Sequence, residues 1–228
     1  MGVRPAAFHQ QGRRGPALVS PAAVPMRGAY WSAYLTPPPD VTHYPAGGTV
    51  VDVGCGEGLQ LTKLREAGYH AIGLEIAPEP ARACWAAGHT VMIGRAEHLP
   101  FRSESCHGVL CKVVLPYTDE RRAIEEIARV LTKKGVALLY VHGLGYSLRY
   151  LLRPDSWKHS VYAARTIVNT VVYRLSGRRL PGFLGDTIFQ SDRTLRRYYR
   201  SAGLTLLSTI PSGRFFGQPV FIGHVLRK

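Results

Sequence analysis

The hydrophobic and polar positions of the chain keep one rhythm from residue 49 to residue 142 and lose it afterwards. Residues 49–53 (TVVDV) are a short apolar run broken only by Asp52, as expected of a strand covered on both faces. Residues 59–67 take helical spacing and stop at Gly68, residues 71–74 are a second strand, and residues 78–87 form a helix with Pro78 in its first turn and Gly88 at its end. Residues 90–93 and 108–115 read as strands three and four. Residues 119–131 are the clearest helix: Ala123, Ile124, Ile127, Val130 and Leu131 recur on one face, Thr118 is placed to cap it, Asp119 and Glu120 sit at its positive end, and Lys133 and Lys134 precede the stop at Gly135. Residues 136–141 are a fifth strand. Strands alternating with helices of this length predict a parallel sheet with helices on both faces.

Beyond His142 the alternation breaks. Residues 157–175 predict one amphipathic helix with an apolar stripe of Trp157, Val161, Ala164, Val168, Val171 and Leu175, expected to pack inward over the active site. Lys158, Tyr162, Arg165, Asn169 and Tyr173 fall on the other side. A Gly/Pro-rich loop (177–185), a basic helix (192–202) and two strands (204–210 and 219–226) follow, the last two close enough to pair antiparallel. At the other end, residues 1–29 lack apolar periodicity and read as a disordered basic tail, in which Met26 is an alternative start. Residues 30–35 (YWSAYL) offer Tyr30, Trp31 and Tyr34 as a lid or a packing anchor. The remainder, residues 30–228, is expected to be one domain, with residues 143–189 as a helical insertion.

Composition narrows the picture without deciding it. In 228 residues, 46% hydrophobic and 19% charged is globular usage, and no apolar run reaches the roughly 18 residues of a membrane span. The four cysteines show neither paired nor metal-ligand spacing, so no metal is expected, and reduced thiols in a cytoplasmic setting fit. The net charge of +14 is uneven: residues 1–39 carry +4, residues 40–141 carry −1, and residues 142–228 carry 14 bases against three acids. Basic ends favour an anionic partner or a solvated surface. The Arg193, Arg196, Arg197 and Arg200 set reads chiefly as solvated.

The sharpest chemical signal is VVDVGCGEG, residues 50–58: a buried strand runs into a glycine-rich turn that opens a helix. The glycines permit positive φ and close approach of backbone to a ligand, and N–H groups at the helix start face it. The spacing is not that of a dinucleotide fingerprint or a phosphate-cradling loop. Asp52, just ahead of the first glycine, suits a cationic ligand such as an amino-acid group attached to a sulfonium.

This turn resembles that of the class I S-adenosylmethionine-dependent methyltransferases. Glu75 follows Asp52 by 23 residues, where that family uses an acid on the ribose hydroxyls. GRAEHLPF (residues 94–101) resembles the family's adenine-lining loop, and EEIARVLTKKG (residues 125–135) its helix-to-strand-five segment. The resemblance covers residues 49 to about 142. It implies an α/β, Rossmann-like three-layer sandwich with a seven-stranded, mostly parallel sheet and an antiparallel final hairpin. It also implies S-adenosyl-L-methionine as cofactor, held by Asp52, Gly54, Cys55, Gly56, Gly58, Glu75, Ile76, Ala96, Glu97 and Lys112. Three departures stand out: Arg95 replaces the usual adenine-binding aspartate, His107 replaces an acid at the start of strand four, and Lys112 would repel a sulfonium unless it points outward or toward Glu97. Leu115-Pro116-Tyr117 shares only Pro-Tyr with the motif of base amino-methyltransferases.

The implied activity is methyl transfer to an oxygen, nitrogen or carbon nucleophile of a small molecule, planar or anionic, with residues 143–189 as the substrate cap. His142, after strand five, is the one candidate general base. The alternatives are an RNA-modifying methyltransferase using the basic C-terminal part and a non-catalytic cofactor-binding scaffold. A membrane surface is the lesser reading of the 157–175 helix. Deleting residues 1–25 is expected to leave the melting temperature within about 2 °C, since tails without contacts contribute little; a thermal scan of the shortened chain checks this.

Overall fold

A computed structural model describes residues 44–210 and 212–228; residues 1–29 and the 30–35 segment lie outside the described residues. In chain order the elements are β1 (Thr49–Val53), α1 (Leu59–Glu66), β2 (His70–Glu75), α2 (Pro78–Ala86), β3 (Thr90–Ile93), β4 (Cys106–Lys112), α3 (Glu120–Val130), β5 (Leu131–His142), α4 (Leu144–Leu152), α5 (Trp157–Ser176), α6 (Asp192–Ser201), β6 (Thr205–Ile210), β7 (Arg214–Phe215), β8 (Gln218–Pro219) and β9 (Phe221–Arg227). Seven strands form one sheet in the order β3-β2-β1-β4-β5-β9-β6. β1 to β5 pair parallel, and β9 runs antiparallel to both β5 and β6. The predicted final hairpin is present, with the small β7–β8 ribbon built into its connection.

Side chains alternate across the pleat, so each strand feeds two cores. On one face Leu61, Leu64, Ala81 and Cys84 of α1 and α2 cover Val50, Leu110, Leu138 and Val225. On the other, Ile124 and Ile127 of α3 and Leu195 and Tyr199 of α6 cover Val51, Val109, Leu139 and Leu226. Strand order reverses between β1 and β4, and in open sheets of this kind the ligand crevice lies at the carboxyl ends flanking that point. His107, the unusual residue at the start of β4, accepts a hydrogen bond at Nδ1 from the Thr49 N–H at 3.1 Å and so ties the start of β1 to β4.

Three local expectations change. The α3 cap is Asp119, whose carboxylate accepts from the Arg122 N–H at 3.2 Å, whereas the Thr118 hydroxyl turns back onto the Leu115 carbonyl at 3.1 Å. β4 ends at Lys112 rather than 115, because Val113 adopts φ 60 and Leu115–Tyr117 coils into a 3-10 turn around Pro116. β5 begins at Leu131, which pairs with Cys106, so Lys133 and Lys134 belong to the strand and the base in the last turn of α3 is Arg129.

The larger change concerns α5. The expected apolar stripe faces out: Trp157 is 72% and Leu175 84% exposed, with Val161, Val168 and Val171 also exposed. Turned inward are Arg165, Thr166, Asn169 and Thr170. Hydrogen bonding outweighs apolar burial here, because the loop after α5 brings backbone groups that need partners. Asn169 donates from Nδ2 to the Thr187 carbonyl at 2.7 Å and accepts at Oδ1 from the Leu180 N–H at 3.0 Å. The Thr170 hydroxyl accepts from the Phe189 N–H at 3.0 Å, and Arg165 pairs with Asp186 at 2.8 Å. Arg174 reaches the fully buried Glu120 at 2.8 Å, joining the end of α5 to the start of α3.

Asn169→Leu would leave two backbone groups buried and unpaired and is expected to destabilise by about 3 kcal/mol. Val168→Ser, its neighbour in sequence, should stay within about 0.5 kcal/mol. Chemical denaturation of both variants checks this, and the reverse order would place the apolar stripe in the core.

Candidate active site

The site is built at the carboxyl end of β1. Gly54 leaves the strand at φ 74, and any Cβ there would collide with the Val114 side chain from the β4 end. Gly56, at φ 54, has open space where a side chain would stand, and Gly58, at φ 87, is the residue from which α1 starts. Cys55 lines the turn: its buried thiol lies against β2, and burial pushes its pKa up, so it is a packing group rather than a nucleophile.

Glu75, the last residue of β2, holds this turn. Oε2 accepts from the Gly56 N–H at 2.9 Å, and Oε1 from the Ile76 and Ala77 N–H groups at 2.8 and 2.9 Å. Each carboxylate oxygen has two lone pairs, so Oε1 is filled and Oε2 keeps one acceptor site. Ile76 stands half-exposed beside it.

Asp52 lies in the centre of the crevice floor at 2% exposure, and its Oδ2 has no hydrogen-bond partner. Burial, reinforced by Glu75 and opposed by Lys112, pushes its pKa up to about 7. Lys112, half-buried at the end of β4, has its own pKa lowered, first by burial. It lies in the field of Asp52; Glu97 is engaged elsewhere, accepting from the Asp119 N–H at 3.1 Å with Arg95 at 3.7 Å.

The loop after β3 places Ala96 buried and Glu97 half-buried. It is fastened by a bidentate pair that joins two of the sequence motifs. Glu126 accepts from the Leu99 N–H at 2.8 Å and from Arg129 at 2.6 Å, and Arg129 donates to the Leu99 and Phe101 carbonyls, both at 2.9 Å. Beside this loop opens a cleft of about 350 Å³ lined by Arg95, Glu97, Tyr117, Asp119, Tyr173 and Arg179.

His142 is brought to a different neighbourhood from the carboxylates. Its ring stacks on Tyr146 at 3.9 Å and meets the edge of Phe221 at 5.3 Å, and burial lowers its pKa to about 3. A ring that stays neutral to that pH takes up a proton weakly near pH 7. Around it are Tyr146, Tyr150 and Tyr162 from the 143–189 segment, joined by Tyr117 from the turn after β4. The hydroxyls of Tyr117 and Tyr162 lie 3.3 Å apart, and Tyr146 and Tyr150 meet at 4.7 Å. Val113, a β-branched residue at φ 60, packs against the same cluster. Such strain gathers at functional sites. The aromatic content of residues 143–189 is the sequence signal for three of these tyrosines, and Tyr117 comes from the Pro-Tyr of residues 116–117.

Comparison with known proteins gives the same frame. Residues 51–139 match the family model described as a methyltransferase domain. The chain is 34% identical over 113 residues to an uncharacterized methyltransferase of Mycobacterium tuberculosis, covering 47% of this chain and 46% of that one. It is 31% identical over 122 residues to a tRNA (carboxymethyluridine(34)-5-O)-methyltransferase of Macaca fascicularis, covering 50% and 18%. The chain spans less than half the length of these curated relatives. An S-adenosylmethionine-dependent methyltransferase structure from Methanosarcina mazei superposes with TM-score 0.60 at 19% identity, covering 83% of this chain and 97% of that one.

Residues 51–139 are thus a methyltransferase domain, and the fold is the one that S-adenosylmethionine-dependent methyltransferases share. The residues of the site fit S-adenosylmethionine: a buried, unpartnered carboxylate oxygen at Asp52, an acceptor site left on Glu75, and an open cradle at Gly56. Among the described residues no cluster could hold a metal ion.

The raised pKa of Asp52 gives the site a pH signature. In the free protein the group is largely protonated below about pH 7, and facing a cationic ligand requires the carboxylate, so binding releases a proton there. Affinity for S-adenosylmethionine is expected to rise by up to about tenfold per unit as pH climbs from 5.5 toward 7 and then to level off. Asp52→Asn should bind more weakly and lose that rise; calorimetry across the range checks it, and identical slopes in both proteins would remove Asp52 from the ligand.

Proposed function

We propose that the protein methylates a small planar or anionic molecule whose nucleophile needs little help to lose its proton. The observation that carries this reading is the cluster of Tyr117, Tyr146, Tyr150 and Tyr162 beyond the carboxyl ends of β4 and β5, of which β4 adjoins β1, the strand that carries Asp52. Burial raises the pKa of the phenols of Tyr117, Tyr146 and Tyr150, so at neutral pH they are neutral donors and flat apolar walls. With His142 nearly unable to take a proton, the site favours carboxylates, acidic phenols or amines over aliphatic alcohols.

When bound, S-adenosylmethionine supplies an electrophilic methyl group. In this reading Asp52 faces the cofactor's ammonium, Glu75 accepts from a ribose hydroxyl, and Ala96 and Glu97 border the adenine. The α4–α5 insertion contributes Tyr146, Tyr150 and Tyr162, which excludes water and orients the acceptor; alignment of this kind supplies several kcal/mol of rate.

A second reading, an RNA substrate, is favoured by the tRNA-methyltransferase relative and by Arg193, Arg196, Arg197 and Arg200, all exposed on α6. It predicts tRNA retention that falls steeply with salt.

Glu75→Ala is expected to weaken S-adenosylmethionine binding by about 1.5–3 kcal/mol, the usual contribution of hydrogen bonds to a charged group. Methyl transfer from labelled cofactor to a panel of carboxylates, acidic phenols and aliphatic alcohols should be confined to the first two. Turnover of alcohols at comparable rates would require a base elsewhere, and turnover of tRNA alone would favour the second reading.

A further inference from the structure

The outward face of α5 has chemistry that the methyltransferase site does not use. Trp157, Val161, Val168, Val171 and Leu175 stand exposed in one line, and Leu151 and Leu152 at the end of α4 are exposed too. From Trp157 to Leu175 the ridge is about 27 Å long at helical rise. Contiguous exposed apolar surface of this size marks an interaction face. It is fringed by cations: Arg153, Lys158 and Arg178 are exposed, against one exposed acid, Asp155, within residues 143–185.

We infer that this ridge docks on an anionic lipid surface, with α5 lying in the plane of the interface. Two observations favour lipid over other occupants. The ridge is a line of aliphatic side chains along a single helix with a tryptophan at one end, the arrangement that sinks into the headgroup boundary. Its fringe is positively charged and nearly free of acids, matching anionic headgroups that attract each Lys or Arg near the surface. Among the described residues no helix is long and apolar enough to cross a membrane, so the contact lies on the surface rather than through it. The polar inner seam of α5 explains how the helix keeps this outward orientation without lipid present.

The test uses the full chain with vesicles of phosphatidylcholine alone and with a phosphatidylglycerol admixture, read by co-sedimentation and by tryptophan emission. Binding is expected to be at least about tenfold tighter to the anionic vesicles, with a blue shift that Trp157→Phe removes. Val168→Asn combined with Leu175→Ser should lose about tenfold or more of that binding while keeping the melting temperature and the cofactor affinity of the parent protein. Because these positions are exposed, the variants test the surface and not the fold. Absence of vesicle binding, or equal binding by the double variant, overturns the proposal. So does a concentration-dependent dimer abolished by the same substitutions, which gives the ridge to a second copy. Vesicle binding that appears only after removal of residues 1–43 overturns it too, by giving the ridge to that segment.

Discussion

One carboxylate organises the cofactor end of the molecule. Three backbone N–H groups, from Gly56, Ile76 and Ala77, end on Glu75. Charge-assisted bonds of this kind are about twice as strong as neutral ones, and here they fix a turn whose glycines leave the backbone its widest choice of conformations. The turn sets where Gly54 meets Val114, and so how closely the end of β4 approaches β1. From there the constraint passes to Val113 and the tyrosines behind it. A second clamp, Glu126 with Arg129, does for the loop after β3 what Glu75 does for the glycine turn. Ligand-facing loops are thus rigid because polar groups of the regular elements hold their backbone.

The parallel half of the fold was legible because local and tertiary signals agree there. The apolar runs of β1 and β4, the Pro78 start of α2 and the glycine stops all say in sequence what the sheet needs in space. Asp52 and Glu75 stand out in the sequence for a related reason: they are acids at the ends of buried strands, where only a ligand or a backbone cluster can answer them. What failed was the inference from periodicity to burial in α5. Apolar spacing gives the angular position of the stripe but not which side the protein is on. Asn169, Thr170 and Arg165 were drawn inward by groups on residues 180–189, a distance along the chain over which no local pattern speaks. The α3 cap failed more modestly, Asp119 and Thr118 being adjacent residues equally suited to the role. Tyr146, Tyr150 and Tyr162 stand out in the sequence as aromatic residues of one segment, whereas Tyr117 joins them from about 30 residues earlier, a contact no linear pattern gives.

The inverted helix also shows how a small domain attaches an insertion to a finished core. An apolar face would have packed in several registers of similar energy. A seam of directional bonds has one good register, since a shift of one residue leaves buried donors and acceptors unpaired at a cost of about 1–3 kcal/mol each. The stability given up by leaving valines in water is exchanged for a single position of Tyr162 relative to Tyr117.

The placement of β9 has a consequence for the order in which the molecule can assemble. β9 follows β6 in the chain yet lies between β5 and β6. β6 therefore has no neighbour in the sheet until β9 exists, whereas β1 to β5 can pair as they emerge. The cofactor turn, the strained Val113 and both loop clamps belong to the part that can form first. The edge of β5, a long row of open backbone groups from Val136 to His142, must then wait unpaired for its partner. In a cell this is the interval in which the chain is most exposed to wrong strand pairing, and β9 is the piece whose late arrival closes it.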